Sequence, residues 1–404
     1  MLSSLRSAIG APPAEGFAAA HRHLDRLTKP PGSLGRLEEI AARLAVLRGG
    51  APRIERPVIF VFAADHGVVA EGVSAYPQIV TAQMVENFLH GGAAVNVLAR
   101  QAGARVVVAD FGVANPIAGS PELHACPIAP GTANMTRGPA MTRTQAVRAI
   151  ETGARLAEHA LDAGADLLAT GEMGIGNTTA ASAITAAITG ALPERVTGRG
   201  TGVDDAAVAR KVDVVGRALA VNAPDARDGL DVLAKVGGFE IAGLVGVTLA
   251  GAARRVPVAL DGFIAGAAAL VAVTLAPDAR HALFASHRSA EPGHTVILEH
   301  LGLTPYLDLA LRLGEGTGAA LFIHLARAAA LVWNEMATFE SAGVSQSEGA
   351  SDRPAPPSDR RAPPSGRRAP PSGAPSEAGG SAPERERTRS DRVAPAKPTR
   401  ERRT

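Results

Sequence analysis

Cysteine is almost absent from this chain. The single Cys126, set in HACPIAP, leaves no intrachain disulfide framework and carries no nucleophile signature, which points to a reducing compartment. Aromatic residues make up 3% of the sequence, too few for the stacking platforms that single-stranded nucleic acid requires. No charge of one sign dominates: the formal net charge is +2, so no global field steers a polyanion toward the protein. The longest uncharged apolar run, GFIAGAAALVAVTLA at 262–276, falls short of the ~20 residues a membrane-spanning helix needs. The N-terminal stretch MLSSLRSAIGAPPAEGF lacks the apolar segment of a secretory signal, so a cytoplasmic location without a membrane span is expected. Lysine is scarce as well. Only Lys29, Lys211, Lys235 and Lys397 occur among 41 basic residues.

What is present is glycine, alanine and aliphatic residues, with hydrophobic types at 46%. Continuous apolar stretches alternate with helical periodicity. PVIFVFAADHG (57–67), ARVVVADFGV (104–113), ADLLATGEM (165–173), PVALDG (257–262) and HALFASH (281–287) read as buried strands ending in polar turns. Between them, 14–48 reads as helix interrupted by TKPPGSLG, and 81–103 as one helix. Further helices are read at 143–164, after the glycine-rich turn near 176, at 239–252 and after Asp261-Gly262. Strands without polar alternation, separated by helices, predict an α/β fold: a Rossmann-like parallel sheet covered by helices on both faces. Ligands of such sheets bind at the carboxyl ends of the strands. The fold would therefore gather Asp65, His66, Asp110, Glu172, Asp261, Ser286 and His287 on one edge.

Near Val344 the composition changes. Residues 344–404 are rich in Pro, Ser, Gly and Arg, and RRAPPSG occurs at 360–366 and again at 367–373. From 345 onward there are 13 Lys and Arg against 8 Asp and Glu. Such a segment cannot bury enough apolar surface to offset its ordering entropy, so a disordered tail is expected. A basic arm for nucleic acid is the competing reading, and truncation at Val344 would separate the two. Acids interleaved with the arginines favour the plain tail, and no nucleic-acid partner is expected.

Four stretches carry candidate chemistry. TGEMGIGNTTAAS (170–182) places Gly174, Gly176, Asn177 and Thr178 where a strand gives way to a helix. Backbone N–H groups in such a turn, with the helix N-terminus behind them, suit a phosphate. The glycine order is GxxGxG, the reverse of the dinucleotide fingerprint, and no P-loop lysine follows, so a nucleotide monophosphate fits better than NAD or ATP. Failure to bind NAD in a titration would remove the oxidoreductase alternative. Second, the three lysines before the tail lie beside glycine-rich or polar segments. A compact point charge there is a phosphate ligand, and one of the three is expected to serve. Third, DHGVVAEGVSAYPQIVTAQMVENF (65–88) is a mixed polar and apolar loop suited to a flat heteroaromatic ring. His66, His287 and His294 form no ligand pattern, so no metal is expected. Fourth, ASHRSAEPGH and LRLGEGTGAAL supply Glu291 and Glu315. Glycines on both sides of Glu315 would let a substrate come close, and apolar surroundings would raise its pKa toward that of a general base. A helix N-terminal acid stabilised by the dipole explains the same residue equally well at this stage.

Taken together, LTKPPGSLGRLE (27–38), the 65–88 loop, GEMGIGNTTAASAI (171–184), GTGVDD (200–205), LDGFIAGAAAL (260–270), SHRSAEPGH (286–294) and LRLGEGTGAAL (311–321) resemble the nicotinate-nucleotide:dimethylbenzimidazole phosphoribosyltransferase family over about residues 5–343. The resemblance implies transfer of the ribosyl 5′-phosphate of nicotinate mononucleotide to 5,6-dimethylbenzimidazole. The products are α-ribazole 5′-phosphate and nicotinate, with inversion at C1, in assembly of the cobalamin nucleotide loop. It implies Glu315 as the catalytic base, Glu172 as a negative charge near the developing oxocarbenium ion, and Lys211 as a lysine near the site. It implies phosphate on the 174–178 turn, Ser289 on the nucleotide side, and an acceptor-binding region with Tyr76, Gln83 and Met84. Tyr76 stands where a well-known member has a small polar residue, so benzimidazole, adenine and phenolic acceptors all stay open. The resemblance further implies a homodimer, no cofactor, a large sheet domain at roughly 57–300, and a small helical domain built from 1–56 and 301–343.

Overall fold

The computed structural model describes residues 1–345 apart from Ala118 and Thr201. Three helices come first: α1 (Leu2–Ala8), α2 (Ala14–Asp25) and α3 (Arg36–Arg48). Strand β1 (Pro57–Ala64) is followed by a 3-10 turn, then α4 (Val80–Leu89), α5 (Ala94–Ala102), β2 (Arg105–Gly112) and the short β3 (Leu123–Ala125). Next are α6 (Arg143–Asp162), β4 (Leu167–Met173), α7 (Asn177–Thr189), α8 (Pro193–Val196), α9 (Asp205–Asn222), α10 (Gly229–Val236) and α11 (Phe239–Ala253). Then follow β5 (Val258–Leu260), α12 (Phe263–Leu275), β6 (Leu283–Ala285), α13 (Pro292–Leu301), α14 (Thr317–Glu335) and α15 (Phe339–Ala342).

The six strands form one parallel sheet in the order β3-β2-β1-β4-β5-β6. All eight residues of β1 are buried, as expected of a central strand covered on both faces. Order and burial together bear out the α/β reading.

Small residues let the layers approach. Gly153 of α6 lies against the backbone of Gly243, and Gly246 of α11 against the backbone of Ile150, so these two helices cross nearly backbone to backbone. Gly243 also faces the rings of Phe62 and Phe111, which stack at 4.4 Å beneath it. The Gly and Ala content therefore serves helix–helix contact as much as helix–sheet contact.

Two readings need correction. The stretch 81–103 is not one helix: it breaks at Gly91-Gly92, where Gly91 adopts φ 73°, and α5 starts afresh at Ala94. Strand β3, which no apolar run announces, pairs with β2 through Val108–Leu123 and its neighbours. The expected disordered tail lies, beyond Ser345, outside the described residues.

The two ends of the described chain meet. The Thr28 N–H donates to Ala337 O (2.9 Å), the Phe339 N–H donates to Arg26 O (3.0 Å), and His23 packs on Trp333 with ring centroids 4.1 Å apart. The motif LTKPPGSLGRLE sits at this junction. Lys29 pairs with the buried Glu38 at 2.9 Å, and the same Glu38 oxygen accepts the Leu34 N–H.

Candidate active site

The strand order reverses between β1 and β4, which is where an open α/β sheet leaves a crevice beyond its carboxyl ends. A cleft of about 670 Å³ opens there, and Glu172, Glu315, Thr178, Ser289, Tyr76 and Met84 all line it. Glu172 ends β4, Thr178 opens α7, and Ser289 follows β6. Glu315 precedes α14, and Met84 lies on α4.

Glu315 is the most constrained of these. It has φ 63°, and its neighbours Gly314 and Gly316 have φ 83° and 94°. Three successive left-handed residues turn the chain sharply into α14. The two glycines take that conformation at little steric cost, whereas Glu315 is strained by about 1 kcal/mol or more. Strain of this kind persists only where the surroundings enforce it, and Gly171 is one enforcer. A side chain there would collide with the Glu315 carbonyl group and the Gly316 nitrogen. Asp261, at the end of β5, is another. Its carboxylate accepts the N–H groups of Gly316 (3.0 Å), Gly318 (2.7 Å) and Ala319 (3.2 Å), capping α14 from outside the helix.

The Glu315 carboxylate is 5% exposed. Burial raises its pKa above the ordinary value of 4.5, with a smaller push from Asp261, while the backbone N–H of Val95 works the other way. Val95 lies in the first turn of α5, the helix that the Gly91-Gly92 break creates. Oε2 is buried and has no hydrogen-bond partner among the described residues. The carboxylate thus lies toward the N-terminus of α5, whose field favours its charged form, and a lone pair remains for a proton.

Glu172 is different. Burial pushes its carboxyl up to about 8, reinforced by the charges of Glu240, Asp261 and Glu315 and opposed by the Asn177 amide, which donates to Oε2. At pH 7 it is mostly neutral.

The 174–178 turn lies on the cleft wall through Gly174, Ile175, Asn177 and Thr178, and Gly176 is the N-cap of α7. Thr178 Oγ1 accepts from Lys211 Nζ at 3.0 Å. Lys211 is 1% exposed, and burial lowers its pKa while Glu291 partly offsets this. Lys211 therefore stands behind Thr178 and does not line the cleft. The other two lysines of the folded part are engaged elsewhere, Lys29 with Glu38 and Lys235 with Asp231 at 2.8 Å. Glu291 accepts the Gly200 N–H at 2.9 Å, and Arg312 donates to Gly200 O at 3.1 Å, so two cleft residues fix that loop. The Ser289 N–H donates to His294 Nδ1 at 3.0 Å. Tyr76 is 52% exposed at the cleft. Gln83, on α4, is exposed and does not line it. Among the described residues no cluster of three or more His, Cys, Asp or Glu side chains is placed to hold a metal ion.

Sequence reasoning missed Glu240, which is wholly buried and bonded to His66. An acid in the first turn of a helix has an ordinary dipole explanation, so nothing local set it apart. The roles of Gly171 and Val95 were also invisible, because both act through backbone contacts with residues distant in sequence.

A family described as phosphoribosyltransferase matches residues 9–344. The chain belongs to this family. It is 58% identical over 337 residues to the nicotinate-nucleotide–dimethylbenzimidazole phosphoribosyltransferase of Chloroflexus aggregans, covering 83% of this chain and 96% of that one. The protein of the same description from Roseiflexus sp. is 57% identical over 346 residues, 85% of this chain and 98% of that one. Among solved structures, the nicotinate-nucleotide–dimethylbenzimidazole phosphoribosyltransferase of Thermus thermophilus superposes with a TM-score of 0.79 at 51% identity, over 83% of this chain and 99% of that chain. Membership of the family agrees with the resemblance read from the motifs.

Proposed function

We propose that the chain transfers the ribosyl 5′-phosphate of nicotinate mononucleotide to 5,6-dimethylbenzimidazole, forming α-ribazole 5′-phosphate and nicotinate with inversion at C1. Relatives more than half identical over nearly their whole length carry that description. The observation that carries the reading at the site is the Glu315 carboxylate, buried in the cleft with one oxygen unpartnered.

In this reading the phosphate docks on the 174–178 turn, where the N-terminus of α7 and the Thr178 hydroxyl face it, with Lys211 behind Thr178 supplying charge. Ser289 lies on the nucleotide side. The acceptor's aromatic ring sits by Tyr76 and Met84. As one imidazole nitrogen attacks C1, the other gives its proton to Glu315. Glu172 faces the cation that grows at C1 as the bond to nicotinate breaks.

We further propose a homodimer, a cytoplasmic location and a small helical domain assembled from 1–56 and 301–343. The hydrogen bonds that join Arg26 and Thr28 to 337–339 support the last. No helix among the described residues is long and apolar enough to cross a membrane.

The test is direct. Purified protein is incubated with nicotinate mononucleotide and 5,6-dimethylbenzimidazole, and nicotinate and α-ribazole 5′-phosphate are followed by chromatography. Equal amounts of both are expected. Nicotinate release only with a different base would overturn the acceptor, and no release with any base would overturn the activity.

A further inference from the structure

Directly behind the glycine turn lies a pair of groups that the reaction as described does not use. His66 follows β1 and is 1% exposed; Glu240 lies in the first turn of α11 and is 0% exposed. His66 Nε2 and Glu240 Oε1 are 2.7 Å apart, and Glu240 Oε2 is buried without a hydrogen-bond partner among the described residues. Two glycines are shaped to this pair. A side chain at Gly174 would reach within 3.3 Å of His66 Nε2 and 3.4 Å of Glu240 Oε1, and one at Gly238 would strike both residues. His66 also packs against Gly176. The pair thus forms the floor under the 174–176 turn, whose other side is the cleft.

A carboxylate and an imidazole sealed from water are costly to keep unless they do something that an apolar floor would not. The fold holds Glu240 near Glu172, the last charged residue of β4. The groups facing Glu172 are Glu240 from α11, Asp261 from the end of β5, Glu315 from the approach to α14, and the Asn177 amide from α7. Three of the four are acids. Among the described residues, the imidazoles placed against these acids are His66 on Glu240 and His287, whose Nε2 lies 3.6 Å from Asp261.

We propose that His66 and Glu240 act as one buried positioning pair, which fixes the Gly174–Gly176 turn and holds a negative charge behind Glu172, so that Glu172 meets the donor's cationic pyridinium ring by giving up a proton. The proposal rests on the phosphoribosyl-donor reading of this cleft. Burial, reinforced by the acids around it, favours the protonated form of Glu172 before a donor binds. A pyridinium nitrogen placed against it reverses the balance: the ionised form is favoured and the proton leaves to solvent. The site then gains its negative charge only when a cationic donor is present, which discriminates against ribosyl phosphates with a neutral leaving group.

The test is proton release on donor binding, measured by calorimetry at pH 7 in two buffers of different ionisation enthalpy. Nicotinate mononucleotide is compared with ribose 5-phosphate, which has a phosphate but no ring. Release approaching one proton per site is expected with the first and not with the second. Equal release from both would assign the proton to the phosphate and overturn the proposal, as would no release from either.

Glu240→Gln keeps an oxygen for His66 and removes the charge. The pH profile of donor affinity is expected to move down by about one pH unit, the scale of a single neighbouring charge. A purely structural role would leave the profile in place, and a profile that superposes on the parent's overturns the assignment of Glu240. Should this variant not fold, the calorimetry on the parent still decides whether Glu172 gives up a proton, and His66→Asn, which takes the imidazole away from Glu240, tests the pair by the same pH profile, a profile that superposes on the parent's again overturning it. Because binding is read without the acceptor, proton release without product formation would sink the transferase reading and leave the proton release from Glu172 standing.

Discussion

Asp261 determines where Glu315 points without touching the Glu315 carboxylate. Its two oxygens accept the N–H groups of Gly316, Gly318 and Ala319, the first residues after the left-handed Glu315. β5 carries Asp261 and α14 follows Glu315, so the sheet fixes the base through the start of one helix. His287, 3.6 Å from the same carboxylate, supports it from β6.

Replacing Asp261 with Ala leaves three buried N–H groups without their acceptor. A loss of about 1–3 kcal/mol in stability is expected, with a fall in kcat because the Glu315 turn loosens. Urea denaturation and steady-state kinetics would check both. A variant with parental kcat would show that the cap is not what positions Glu315.

Glu315→Gln preserves shape and removes the proposed base. Turnover should fall by ~10²–10⁴-fold while the fold stays near intact. A rate within threefold of the parent would remove Glu315 from the mechanism.

Gly171→Ala inserts a methyl against the backbone of Glu315 and Gly316, both of which are held in place. Overpacking of about 1–3 kcal/mol and a large loss of kcat are expected. Gly216→Ala serves as the control. It lies within α9 with nothing within 4 Å of the new atom, and it should be neutral or stabilising by up to about 1 kcal/mol. Equal effects of the two changes would mean that the Gly171 contact is not special.

Glu172 makes stability depend on pH in a stated direction. Its folded-state pKa of about 8 lies above the ordinary 4.5, so the folded protein binds the proton more tightly than the unfolded chain. The protein therefore loses stability as pH rises from about 4.5 toward 8. Glu172→Gln, which is neutral throughout, should raise the urea midpoint at pH 8 and give no gain near pH 4.5, at a cost in activity. A gain of the same size at both pH values would contradict this.

Tyr76→Ser should change acceptor use and leave the donor untouched. Loss of a ring contact is worth about 3–10-fold in KM for 5,6-dimethylbenzimidazole, with the KM for nicotinate mononucleotide unchanged. The check is a panel of benzimidazole, adenine and phenolic acceptors on both proteins. An unaltered order of preference would place Tyr76 outside the acceptor subsite.

The sequence by itself determined the sheet class, because buried parallel strands need unbroken apolar runs and the chain has them at 57–64, 106–109 and 167–169. It also brought forward Glu315, since an acid between two glycines in an apolar stretch has few explanations, and the glycine turn after β4, since its spacing is local. Only the tertiary structure decided what acts on them. The break at Gly91-Gly92 matters because it aims the N-terminus of α5 at Glu315 through Val95. Lys211 lies behind the 174–178 turn, while Lys29 serves the junction of the chain ends, and both had equally suggestive neighbours. Glu240 gave no local sign at all, although its charge acts on Glu172 from 68 residues away in sequence. Periodicity and turn chemistry are properties of neighbours along the chain. The burial of a charge, and which other charges share its low-dielectric surroundings, are set by elements that meet only when the sheet closes.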